Sequence, residues 1–164
     1  MTARLRPLSF DADGSNLTKL VANDANTTGP TWSPDGERII YTVASSAMRE
    51  VSSSGGEPSN VANFRKLLSG RTAFTPSGDR IVLSLGDFMS NIHTMAPDGT
   101  DQTQITSLPG SEFGPSVSAD GGTVAFYHHP DGDTRSVGVW TVGISGGTPE
   151  LLVADANYPA FSPE

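Results

Sequence analysis

Three short runs of consecutive apolar residues punctuate the chain: Ile39-Ile40-Tyr41, Ile81-Val82-Leu83 and Val124-Ala125-Phe126. A strand with one wet face alternates apolar and polar positions, so runs that are apolar at every position predict strands covered on both faces. Each run follows a tight turn at the same distance, in "TWSPDGERIIYT", "AFTPSGDRIVLS" and "SVSADGGTVAFY". Ser33-Pro34-Asp35-Gly36 has the preferred residue at all four places of a type I turn, with Pro34 pre-setting φ. Gly36, Gly78 and Gly121 close the three complete turns and are expected in the left-handed region, where glycine suffers no steric penalty. Each motif therefore reads as strand, tight turn, strand.

The pattern is periodic. Trp32, Phe74, Val117 and Phe161 are equivalent and lie 42, 43 and 44 residues apart. A second turn series runs out of phase with the first, in "FDADGSN", "SSGGEP", "APDGTD" and "SGGTPE". From the last glycine of each to the next strand-ending apolar residue the separations are 18, 18, 18 and 14. Two hairpins per unit of 42–44 residues make four strands, the arithmetic of a β-propeller blade. The expectation is an all-β fold, a partial or small β-propeller of about four repeats of four-stranded antiparallel blades. Ile40, Val82 and Ala125 should be buried between blades.

Composition fits this picture. Gly and Pro together number 30 in 164 residues, and no long stretch has helical periodicity. The one helical hint is "NFRKLLSG", where Phe64, Leu67 and Leu68 stand at helical spacing before Gly70, enough for one turn between blades. Twelve of the 18 acidic residues are Asp, and five of those precede glycine, so much of the net charge of -8 follows from turn chemistry. That charge argues against a nucleic-acid partner, which needs a basic face. With no cysteine there is neither disulfide nor thiolate chemistry. No apolar run suits a secretory leader after "MTARLR", and none is long enough to cross a bilayer, so no membrane insertion is expected.

"PTWSPDGERIIYT", with "APDGT" some sixty residues on, resembles the PD40 (WD40-like) repeat of TolB-type propellers. The resemblance covers essentially the whole chain. It is sharpest in the first motif and weaker in "VSADGGTVAFY", where Ala119 replaces the proline. On this reading residues 1–164 form a single propeller-type domain. Residues 7–21 are the outer half of a blade, 30–64, 72–106 and 115–153 are full repeats, and 158–164 start a further blade. Because TolB-type propellers generally have six blades, two readings follow: a fragment, or a small ring completed within the chain or by self-association into a homo-oligomer. The third repeat is longer between its turns than the others, through extra residues in "YHHPDGDTRS" at 127–136.

Candidate chemistry is sparse. His128, His129, Asp131 and Asp133 form the only cluster of metal-ligand types, yet adjacent histidines on a strand point to opposite faces. The residues favour a polar turn with solvated imidazoles over a metal site. "FDADGSN" lacks the later ligands of a calcium loop, Ser15 and Ala22 standing where carboxylates belong, and reads as an Asp-Gly hairpin. There is no Gly-x-Ser-x-Gly, no Cys nucleophile and no phosphate loop. His93 reads as a surface or inter-blade histidine; Trp32 and Trp140 read as core. No catalytic residue, metal ligand or cofactor is expected.

The function so implied is a non-catalytic TolB-like module acting as a protein–protein interaction scaffold, periplasmic or extracytoplasmic by resemblance only. The alternative is part of the gating propeller of a prolyl-oligopeptidase-like or tricorn-like peptidase, or of a propeller-type sugar lyase. A downstream domain of about 250 residues with a nucleophile elbow would favour the peptidase.

Overall fold

The computed structural model describes residues 7–21, 26–65, 67–132 and 137–162, with the backbone alone for 67–70. Every strand pairing in it is antiparallel. A two-stranded sheet of β1 (Leu8–Ser9) and β2 (Thr18–Lys19) comes first. Three four-stranded blades follow. The first holds β3 (Thr27–Trp32), β4 (Arg38–Val43), β5 (Ala47–Ser52) and β6 (Ser59–Asn63). The second holds β7 (Leu67–Phe74), β8 (Ile81–Gly86), β9 (Ser90–Met95) and β10 (Thr103–Gln104). The third holds β11 (Gly110–Val117), β12 (Thr123–Pro130), β13 (Gly138–Gly143) and β14 (Glu150–Ala154). Inner strand β7 lies between β3 and β11, and the blades form an open arc.

The apolar runs are buried on both faces. Ile39, Ile40 and Tyr41, Ile81, Val82 and Leu83, and Val124, Ala125 and Phe126 are each at most 3% exposed. Alternation sends neighbouring side chains to different cores. Ile39 and Tyr41 pack on Leu20 and Val21 of the half-blade, while Ile40 joins Met48, Ile81, Leu83 and Met95 between blades one and two. Val82 turns the other way and meets Ile92, Val124, Phe126 and Val142 between blades two and three. Each blade thus buries one set of apolar side chains against each neighbour.

The turn motif works as its sequence implies. Gly36, Gly78 and Gly121 have φ of 72°, 76° and 75°, and their N–H groups donate to Ser33, Thr75 and Ser118 at 2.8–2.9 Å. The hydroxyl of Ser33 donates to Asp35 Oδ1 at 2.5 Å, and the Glu37 N–H caps the same oxygen at 2.9 Å. Ser118 and the Gly122 N–H repeat this on Asp120. In the middle blade Ser77 replaces the aspartate, and the carboxylate comes from one residue beyond the glycine: Asp79 accepts from Thr75 and Ser77 at 2.6 and 2.5 Å. The turns also touch around the arc. Pro34 stands 3.6 Å from where a Cβ on Gly78 would lie, and Pro76 stands 3.5 Å from the same point on Gly121.

One hint is not taken up and one expectation fails. The helical hint in "NFRKLLSG" gives way to strand, since Leu67–Phe74 is a strand. Its backbone pairs with β8, so sheet hydrogen bonding overrides a spacing too short to nucleate a helix. Trp32 is 52% exposed rather than core. It shares a face with Ile39, its ladder partner. The half-blade covers Ile39 with Leu20 and Val21, but no inner strand stands over Trp32 among the described residues.

Residues 156–162 form no strand ladder, but they lie beside β11, where the Phe161 N–H donates to Ser116 Oγ at 3.0 Å.

Candidate functional site

Each inner strand is broken by a bulge near the axis, between Thr28 and Thr31, Ser69 and Ala73, and Phe113 and Ser116. A bulge bends its strand and re-aims a side chain. The flanking blades fill theirs with Gly29-Pro30 and Gly114-Pro115, both glycines at φ 59°. The middle strand takes one more residue into its bulge and carries Arg71-Thr72 where its neighbours have Gly-Pro. Counting back three from the equivalent strand ends gives Gly29, Arg71, Gly114 and Tyr158 as one set. Tyr158 keeps the left-handed backbone, at φ 50°.

These segments enclose a concavity of about 890 Å³, lined mainly by residues 28–32, 71–73, 114–116 and 158–160. Its floor is tied together by hydroxyls: Thr31 Oγ1 donates to the Thr72 carbonyl at 2.9 Å, and Thr72 Oγ1 to Thr31 Oγ1 at 3.3 Å. Trp32 and Tyr158 are exposed at its wall. Among the described residues, Arg71 is its only charged lining residue. The guanidinium is exposed and makes no ion pair or hydrogen bond among the described residues.

The metal-type cluster is dispersed. His128 is 2% exposed and lies edge-on to Trp140 at 5.4 Å, whereas His129 on the opposite face is exposed. Burial lowers the His128 imidazole below its ordinary value, so the expectation of two solvated imidazoles holds for His129 alone. Asp131 is exposed, and Asp133 lies outside the described residues. Among the described residues no three His, Asp or Glu side chains stand close enough to share a metal. His93 is buried at 7% exposure, and Trp140 is half-buried against the core between blades two and three. Asp11 and Asp13 sit in the Asp-Gly hairpin, Asp13 capping the Ser15 N–H at 2.8 Å.

Sequence reasoning missed two residues. Arg71 is visible once the motifs are aligned three places before the strand end, where it replaces glycine. Glu112, fully buried on β11, carries no such signal. It accepts from the Ile92 N–H at 3.0 Å, the Leu108 N–H at 3.2 Å, Asn91 Nδ2 at 3.5 Å and the Thr106 hydroxyl.

Bladed sheets set around an axial concavity define a β-propeller architecture, here an open arc of it. The chain belongs to the TolB β-propeller (PD40) family, whose model matches residues 6–164. The Tol-Pal system protein TolB of Bordetella pertussis is 29% identical over 143 residues, covering 84% of this chain and 32% of that protein. The chain spans about a third or less of the length of the curated relatives it matches. TolB from Acinetobacter baumannii superposes with a TM-score of 0.76 at 18% identity, over 93% of this chain and 38% of that one. The same fold recurs in an oligogalacturonate lyase with manganese (TM-score 0.66, 16% identity, 88% of this chain and 45% of that one) and the tricorn protease (0.60, 14%, 91% and 18%).

Proposed function

We propose that this chain is a non-catalytic propeller module that acts as a protein–protein interaction scaffold, in the manner its TolB relatives' place in a Tol-Pal system suggests. The observation that carries the reading is the axial concavity. The paired inner strand β3 holds Trp32 exposed at its wall, Tyr158 is exposed on the unladdered segment beside β11, and exposed aromatic side chains are the usual anchors of protein interfaces. The extracytoplasmic location follows from the family resemblance, and self-association into a homo-oligomer is the second element of the proposal. The lyase and the protease share the fold at identities that carry no chemistry.

The test is site-specific photo-crosslinking in the native host from position 28, on the concavity, and from position 57, on the outer rim. A discrete protein adduct from position 28, absent from position 57 and lost in Trp32→Glu, is expected. Crosslinks of equal yield and identity from both positions would overturn the reading.

A further inference from the structure

We infer that Arg71 makes the axial concavity a carboxylate-binding site, and that its ligand is the carboxylate of a peptide segment. The inference rests on the interaction reading above and adds the chemistry that is recognised.

Three observations converge on it. Arg71 occupies the place that both flanking blades give to glycine, and no atom lies within 4 Å of where a Cβ on Gly114 would stand. The third-blade side of the concavity is therefore open at the place equivalent to Arg71. That guanidinium has no partner among the described residues, in a chain of net charge -8 where carboxylates are abundant. Finally, Pro30, Pro115 and Pro159 line the same cavity and offer no N–H. Those three positions add no backbone donor, so the guanidinium is the one charged donor that the described lining offers an anion. One guanidinium matches one carboxylate in charge and in its two-pronged geometry. A phosphate dianion would stay half-neutralised. Trp32 and Tyr158 supply an apolar wall beside the charge, which suits a carboxylate carried next to an apolar side chain.

The experiment uses a matched pair of probes, N-acetyl-phenylalanine and its neutral amide, titrated into the isotopically labelled chain. Amide shifts of Thr31, Thr72 and Ser116 are followed. The acid should bind roughly tenfold tighter than the amide at low salt, as one charge-assisted hydrogen-bond pair implies. Arg71→Gln should erase that difference, and Arg71→Lys should keep part of it. Because Arg71 is exposed, neither substitution should change the melting temperature. Equal affinity for acid and amide, or an acid affinity unchanged in Arg71→Gln, overturns the inference. Acetate binding as tightly as N-acetyl-phenylalanine would assign the site to free small acids and overturn the peptide assignment. Displacement of the acid by inorganic phosphate at lower concentration than by acetate would also overturn it. A crosslinked partner that binds Arg71→Gln as tightly as the wild type would sink this inference and leave the scaffold reading standing.

Discussion

The two complete seams between blades solve one problem with different chemistry. Between blades one and two the contact is a block of Ile40, Met48, Phe74, Ile81, Leu83, Leu85 and Met95. Between blades two and three a comparable apolar block surrounds Val82, Ile92 and Phe126, but Glu112 and His128 are buried on the same side of the third blade, as ladder partners. Glu112 draws donors from β9 and from the segment 105–109, and Ser90 Oγ donates to its backbone carbonyl at 2.9 Å. Apolar surfaces tolerate sliding, whereas a carboxylate with several directional donors fixes how one blade sits against the next. Burying the charge costs several kcal/mol that those donors must offset. Among the described residues, the first seam has directional bonds only at its axial end, where Thr31 meets Thr72, whereas the second carries a hydrogen-bonded carboxyl within its buried core.

The largest effects should show the seams to be alike. Leu83 and Phe126 are completely buried on opposite sides of the middle blade's core. Leu83→Ala should cost about 2–5 kcal/mol and Phe126→Ala about 3–5 kcal/mol in urea unfolding. A cost under 1 kcal/mol at either site would mean that its seam is not close-packed.

Glu112 should tell them apart. Glu112→Ala removes the acceptor of buried N–H groups and should cost about 2–4 kcal/mol. Burial raises this carboxyl above the ordinary 4.5, against the downward pull of hydrogen bonds from Thr106, Ile92, Leu108 and Asn91. A raised folded value means that the native state holds the proton more tightly than the unfolded chain. Its contribution is therefore fully present below 4.5 and is lost as pH rises through the folded value. The stability of the wild type relative to Glu112→Gln should fall as pH rises above 4.5. The turn carboxylates run the other way. Hydroxyls of Ser33, Ser77 and Ser118 hold Asp35, Asp79 and Asp120 below the ordinary 3.8, so their contribution is lost as pH falls. A flat difference between wild type and Glu112→Gln would show that Glu112 is not desolvated in solution.

Smaller and shared by both seams is the strain at the turn glycines. No neighbour would obstruct a side chain at Gly36, so Gly36→Val tests backbone conformation alone and should cost about 1–3 kcal/mol. Gly78→Val should match it, because the nearest atoms there are at ordinary contact distance. If both variants melt with the wild type, the positive φ is not maintained in solution.

What was legible follows the range of the interactions. Turns and two-faced strands are local, so "SPDG" and Ile39-Ile40-Tyr41 announced the positive φ at Gly36 and the double burial. Trp32 was misread because its exposure depends on which strand stands over it, not on its own flanks. The helical hint in "NFRKLLSG" was not taken up because three apolar residues at helical spacing do not outweigh a waiting sheet edge. Arg71 was readable by aligning the motifs, since one charge among Gly, Gly and Tyr is an exception to the repeat. Glu112 was not, because its partners are 4 to 21 residues away and converge only when two blades meet.

The finest test concerns the proline that walks around the arc. Pro34 leans on Gly78 across the first seam and Pro76 on Gly121 across the second, while the third turn has Ala119 in the same place. That turn keeps its Gly121 N–H to Ser118 bond at 2.8 Å, and the Ala119 N–H donates no hydrogen bond among the described residues. A proline at this position should therefore meet the φ it prefers without losing a donor. Ala119→Pro should stabilise the chain by about 0.4–1 kcal/mol, through reduced freedom of the unfolded state. Pro34→Ala and Pro76→Ala should each lose a similar amount plus the contact on the next glycine, and the two losses should agree within about 0.5 kcal/mol. If Ala119→Pro destabilises, the third turn departs from type I. If Pro34→Ala and Pro76→Ala differ by more than that margin, the contrast between the seams extends down to the turns, and Glu112 is not its sole source.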